Sequence, residues 1–116
     1  MAIPHAKSGD LIDVRPLGSA FAGAKTVTLV KSDALEVIRL VVPASKDIPP
    51  HKTKGEVTIH CLEGSVGILV NGVTQILEAG QLMYLAAGEL HAVRGVTDAS
   101  LLVTILLQPH DPVVQP

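Results

Sequence analysis

The feature that most constrains this chain is a series of short apolar segments, rich in β-branched residues and cut apart by turn residues. They read "TVTLVK" (26–31), "LEVIRLVV" (35–42), "EVTIHCL" (56–62), "SVGILV" (65–70), "VTQIL" (73–77), "QLMYL" (81–85), "HAVR" (91–94) and "SLLVTILL" (100–107). None is long enough, or regular enough at a 3.6-residue period, to make an amphipathic helix. Asn71-Gly72 sits between two of them. That pair favours a two-residue type I′ hairpin, because both positions need φ > 0. The one candidate helical turn, "GSAFAGA" (18–24), is rich in glycine, which opposes helix. Many short strands at near-regular spacing predict an all-β sandwich or barrel.

Size and composition narrow the function. At 116 residues the chain is expected to form one domain with a barrel core at about 26–107 and arms at 1–25 and 108–116. Hydrophobic residues make up 47%, and the only aromatic rings of the Phe/Tyr/Trp type are Phe21 and Tyr84. The core must therefore be built from branched aliphatics, which favour pleated strands. A formal net charge of −2 provides no basic footprint for nucleic acid, and the lack of aromatics removes the platforms on which single strands stack. A lone cysteine, Cys61, excludes an internal disulfide and fits a reducing compartment. No apolar run approaches the ~20 residues of a membrane helix, and "MAIPHAKSGD" has no signal-sequence core. The expected location is the cytoplasm. Several strands, the last above all, are apolar on both faces. A second copy of the chain is the simplest cover, so a homodimer is expected.

Chemistry concentrates in "HKTKGEVTIHCLEG" (51–64), which holds two of the five histidines and the cysteine. From 45 to 95 the sequence resembles the paired signature motifs of the cupin family, small jelly-roll barrels (double-stranded β-helices). The second motif of that family runs Gly, five residues, Pro, any, Gly, two residues, His, three residues, Asn. "GQLMYLAAGELHAVRG" is similar to it, with Gly80, Gly88 and His91 in register, Ala86 in the proline slot and Gly95 in the asparagine slot. In the first motif Ser45 replaces the opening glycine, His51 holds the first histidine, Thr53 replaces the second and Gly64 closes it.

The resemblance implies a pocket at His51 and His91. It also implies a site for one divalent transition metal (iron, manganese, nickel, copper or zinc), held in typical cupins by three histidines and a glutamate. Here one histidine slot is Thr53, and the glutamate slot falls on Val57, with Glu56 one place early. Neighbouring side chains on a strand face opposite ways. A regular strand would turn Val57, Ile59 and Cys61 inward and Glu56, Thr58 and His60 outward. A bulge near Gly55 would reverse that and allow a metal set of His51, Glu56, His60 and His91. His60 and Tyr84 join His51 and His91 as candidate pocket residues, although core packing with its hydroxyl at the rim suits Tyr84 better. Cys61, between Ile59 and Leu62, reads as a small buried hydrophobe. His5 and His110 fall near the solvated ends.

Three functions follow. The first is a binding module that holds a small, mostly apolar molecule in the barrel. The second is a metal-dependent dioxygenase or isomerase using His51 and His91 with Glu56 or His60. The third, ranked last, is a metal-free acid–base enzyme of the sugar-epimerase kind. Such an enzyme needs a His–Asp pair and a tyrosine, and only Tyr84 is present.

Overall fold

The structure is a computed structural model that describes residues 4–107. The expected C-terminal arm and His110 lie outside the described residues. Among those described, nine strands form: β1 (Val27–Lys31), β2 (Leu35–Val42), β3 (Asp47–His51), β4 (Val57–Glu63), β5 (Ser65–Val70), β6 (Val73–Glu78), β7 (Leu82–Leu85), β8 (His91–Gly95) and β9 (Ala99–Leu106). A short 3₁₀ turn at Gly18–Gly23 occupies the glycine-rich stretch. The strands pair antiparallel into two sheets, a five-stranded one in the order β1-β2-β9-β4-β7 and a four-stranded one in the order β3-β8-β5-β6. This is the all-β double-sheet arrangement that the segment pattern predicts, in the jelly-roll form that the motif resemblance implies.

Eight of these strands coincide with the apolar segments to within a residue or so at either end. The ninth, β3, was not foreseen, because its sequence is "DIPPH" and proline cannot donate to a ladder. It is tolerated because β3 is an edge strand, where an absent N–H breaks no internal pairing. The hairpin between β5 and β6 turns at Asn71 (φ 52°) and Gly72 (φ 78°), as the type I′ geometry requires.

Pairing aligns residues in rows across each sheet. On the inner face of the large sheet Ile38, Val103, Ile59 and Met83 form one row. On its outer face Arg39, Leu102, His60 and Leu82 form the next. The inner faces of the two sheets meet in a core of Val42, Val57, Ile59, Cys61, Val66, Ile68, Leu77, Leu85, Val93, Ala99 and Leu101. No Phe, Tyr or Trp takes part, so the interior is packed by branched side chains alone. Cys61 is fully buried there, its Sγ–H reaching the carbonyl oxygens of Glu63 and Gly64 at 3.4 and 3.3 Å. Burial pushes its thiol pKa up, which suits a core residue and not a nucleophile.

One carboxylate helps to tie the N-terminal arm to the outer face of the large sheet. Glu63 accepts hydrogen bonds from the backbone N–H of Leu17 (2.8 Å) and Gly18 (3.1 Å) and from the Ser100 hydroxyl (2.6 Å). Burial pushes the Glu63 pKa up, but those three bonds and the Arg39 charge outweigh it and hold the pKa below its ordinary 4.5. A carboxyl with a lowered folded-state pKa stabilises the fold above its unfolded value and loses that contribution as pH falls through the folded value. Acidification below pH 4.5 should therefore loosen residues 13–18 before the barrel melts. Protection of the Leu17 and Gly18 amides from exchange, relative to the intrinsic rate at each pH, should fall with acid in the wild type. In Glu63→Gln it should already be low at neutral pH and change little with acid.

Candidate functional site

The two histidines at matching motif positions come together. His51 on β3 lies directly across the ladder from His91 on β8, and their ring centroids are 4.3 Å apart at an interplanar angle of 58°. The reason is a bulge. Ile48 pairs with Val93 and His51 with His91, so three steps along β3 match two along β8. Side chains alternate faces on a regular strand, and an odd offset of three would turn His51 away from the face of Ile48. The bulge at Pro49-Pro50 absorbs the extra residue and so keeps the imidazole on the side of His91. His91 itself lies on the inner face of β8, two residues from the buried Val93, and is only 4% exposed. His51 is exposed and caps it.

Both rings are oriented in the same way. His51 Nδ1 lies 3.0 Å from the Pro49 carbonyl oxygen, and His91 Nδ1 lies 3.0 Å from the Glu89 carbonyl oxygen. A carbonyl can only accept, so in each ring Nδ1 carries the hydrogen and donates. In the neutral ring Nε2 is left as a lone-pair acceptor or a ligand atom. His91 Nε2 has no partner among the described residues, yet is not among the atoms sealed from solvent without one. It is therefore open to a ligand. A separate recess of about 190 Å³, lined by Pro50, Leu69, Asn71 and Leu90 and touching His91, opens on the outer side of the small sheet, where Leu69 pairs with Ala92.

The other candidates go elsewhere. Of the two registers open to β4 the regular one forms, without the bulge near Gly55 that would bring Glu56 and His60 inside: β4 pairs with β7 and β9 without interruption from Val57 through His60. Gly55 instead packs its backbone so tightly on Leu106 that a Cβ there would collide with the Leu106 carbonyl oxygen. Val57, Ile59 and Cys61 accordingly point inward, and His60 faces out with Thr58. Glu56 and Tyr84 are exposed on the same outer side, the Tyr84 hydroxyl donating to Glu56 Oε1 at 2.8 Å. That hydrogen bond raises the Tyr84 pKa above its ordinary value. Neither the pocket role nor the core packing expected for Tyr84 fits this position. His60 and Glu56 likewise cannot join His51 and His91, because the sheet lies between them.

The donor set decides what the pair can hold. Two imidazoles with free Nε2 atoms fit two corners of a metal site, and locked Nδ1–H groups are what ligating histidines usually have. Thr53 stands where a third histidine would be, and its hydroxyl is turned to the Gly55 carbonyl at 2.9 Å. Among the described residues no group of three or more His, Cys, Asp or Glu is placed to hold a metal ion. The residues present therefore do not fit the four-ligand centre.

Residues 38–106, more than half of the chain, match the family described as Cupin domain. The chain is a cupin. No functionally curated protein matches it. Among solved structures it is similar to a cupin superfamily protein of Desulfitobacterium hafniense, at 18% identity and a TM-score of 0.74, over 89% of this chain and 100% of that one. An RmlC-like cupin of Desulfovibrio desulfuricans aligns at 25% identity and a TM-score of 0.65, over 88% of this chain and 97% of that one. A salicylate 1,2-dioxygenase of Pseudoaminobacter salicylatoxidans aligns at 16% identity and a TM-score of 0.65, over 69% of this chain but 25% of that one. At these identities the enzyme neighbour speaks to fold alone.

Two residues that matter to the architecture were legible only in part. Arg39 is the sole cation in the aliphatic segment "LEVIRLVV", and Glu63 precedes the glycine that closes the first motif. Each had a local signal, but neither had a visible partner in sequence. The β3 bulge gives the sharpest prediction about the site. Deleting Pro50 leaves two steps from Ile48 to His51, matching the two from Val93 to His91, and should give a regular ladder with the imidazole still beside His91. In histidine-ring NMR the mutual ring-current shifts of the two imidazoles should persist, as should the His91 Nδ1–H tautomer, and their loss would show that the bulge itself is needed to form the pair.

Proposed function

We propose that this cupin is a small-molecule-binding module whose recognition element is the His51–His91 pair. The observation that carries the reading is the pair itself: two rings 4.3 Å apart, each with Nδ1 committed to a backbone carbonyl. Two adjacent imidazoles whose Nδ1 atoms are already engaged leave Nε2 for a ligand, and suit one that brings polar hydrogen-bonding groups, such as a hydroxyl, amine or protonated acid, on an otherwise apolar body. The aliphatic inner face beside the pair, with Val70 opposite His91 and Val93 two residues along, supports the apolar part of that description. The incomplete donor set favours binding over a resident metal centre.

Metal analysis of untagged protein, wild type and His91→Ala, tests this directly. The expected result is sub-stoichiometric metal in both. Iron, manganese, nickel, copper or zinc near one per chain in the wild type and absent from His91→Ala would overturn the reading in favour of a metalloenzyme. As a positive arm, a library of small hydroxy compounds and amines screened by amide NMR should give hits that shift residues around His51 and His91. Those hits should bind at least about tenfold more weakly to His91→Ala, the scale of losing one hydrogen bond to a buried partner.

The same reading has the chain working as a homodimer. Leu82 is 62% exposed, Tyr84 61% and Leu106 47%, and they share the outer face of the large sheet with half-buried Leu62, Leu102 and His60. A second copy packed on this face would remove that apolar surface from water. Light scattering should give twice the chain mass for the wild type and the monomer mass for Leu82→Glu, with the barrel still folded.

A further inference from the structure

A second pocket, at the opposite edge of the large sheet, has a different chemistry. Its floor is Arg39, which sits on the outer face of β2 between Val37 and Val41. The residue is only 6% exposed. Its Nη2 donates to the carbonyl oxygens of Asp13 and Arg15 at 3.4 and 2.9 Å, so both hydrogens on that nitrogen are used. Nη1, with two more, is sealed from solvent and has no partner; it is the one buried side-chain N or O so left among the described residues. An unmade hydrogen bond on a buried group costs roughly 1–3 kcal/mol, more where the group is charged. The flanking positions are valine, and an aliphatic residue would continue the face at no such cost. The two bonds to the arm account for Nη2, and nothing in the fold accounts for Nη1.

The space beside it supplies a reason. A pocket of about 600 Å³ opens between the N-terminal arm, β1 and Arg39, within the range of small-ligand sites. Leu17, Val27 and Leu29 give it apolar walls, and Arg15 and Lys25 add two cations at its edge. Two carboxylates offset part of this charge. Asp13 is engaged by Arg15 through contacts of 3.0 and 2.8 Å, which hold its pKa at about 2. Glu63, already bound to the arm and Ser100, feels the field of Arg39. Three cations against two anions leave one positive charge for a ligand to neutralise.

We propose that this pocket binds an aliphatic monocarboxylate, its carboxylate accepting from Arg39 Nη1 and neutralised by Lys25, its hydrocarbon body lying along Leu17, Val27 and Leu29. A carboxylate is the acceptor of matching charge for a guanidinium nitrogen, and the bond is charge-assisted. Because Nη1 is closed off beneath the arm, the carboxylate reaches it only as the segment at Asp13–Arg15 shifts, and binding then re-orders that segment. The site shares no residue with the histidine pair, so it stands or falls independently of the function proposed above.

Titration of the full chain with hexanoate, followed by calorimetry and amide NMR, tests the proposal. Saturable binding is expected in the wild type, with shifts at Asp13–Leu17 and Val27–Leu29. Affinity should fall by about tenfold in Arg39→Met, the scale of one charge-assisted hydrogen bond, and by a smaller factor in Lys25→Ala. Lys25 is exposed, so its variant keeps the test valid should Arg39→Met fail to fold. Absence of saturable binding overturns the proposal. So does binding that survives both substitutions, or binding abolished by His91→Ala alone, which would place the carboxylate at the histidine pair. Inorganic phosphate competing as well as hexanoate would overturn the monocarboxylate class, and an Arg39→Met effect confined to oligomeric state would reassign the pocket to subunit contact.

Discussion

One extra residue in β3 governs the candidate site. Side chains alternate strictly along a strand, and an antiparallel ladder transmits that alternation to every neighbour. Ile48 must face inward because it packs against the core beside Val93. With that residue fixed, the count of positions between it and the histidine decides whether the imidazole meets His91 or solvent. The Pro49-Pro50 stretch makes that count odd, and the bulge there absorbs the odd residue so that the ring still turns in. Proline serves this purpose well at an edge, since it withholds a donor that no neighbour needs.

The same alternation works against the fuller metal set. β4 is paired on both sides, with β7 and β9, and a bulge there would have to be matched or absorbed by two ladders at once. The strand stays regular from Val57 to His60, which keeps Glu56 and His60 on the outside. The register shift that β4 does carry comes at its far end, between Cys61 and Glu63. There it leaves Glu63 opposite Ser100, and Glu63 then binds the arm. Edge and interior strands thus differ in what they can afford: the edge strand bends to build the pair, and the interior strand holds the barrel.

The outer face of the large sheet carries two unlike regions. Toward β7 it is aliphatic and uncovered, with Leu82 and Tyr84 prominent. Toward β1 it is covered by the arm, and a guanidinium lies beneath. Both follow from rows of paired residues crossing the sheet, since Arg39 and Leu82 belong to one row with Leu102 and His60 between them.

Local pattern was enough to reveal eight of the nine strands, the Asn71-Gly72 hairpin and the aliphatic core, and it made Val57, Ile59 and Cys61 the inward set provided that β4 ran regular. Each depends on neighbours in the chain, through alternation or through the φ a turn demands. The motif resemblance added that His51 and His91 belong together, although forty positions separate them. Sequence could not place the bulge, because a glycine at 55 and a proline pair at 49–50 are both plausible sites. Only the packing of Ile48 against the core, and of Gly55 on Leu106, chooses between them. Nor could it show that Arg39 would be buried under residues 13–17, since a single cation in an aliphatic strand has no partner until the arm folds over it. Periodicity is a property of the chain; which face a displaced residue finally shows is settled by the strands that pair with it.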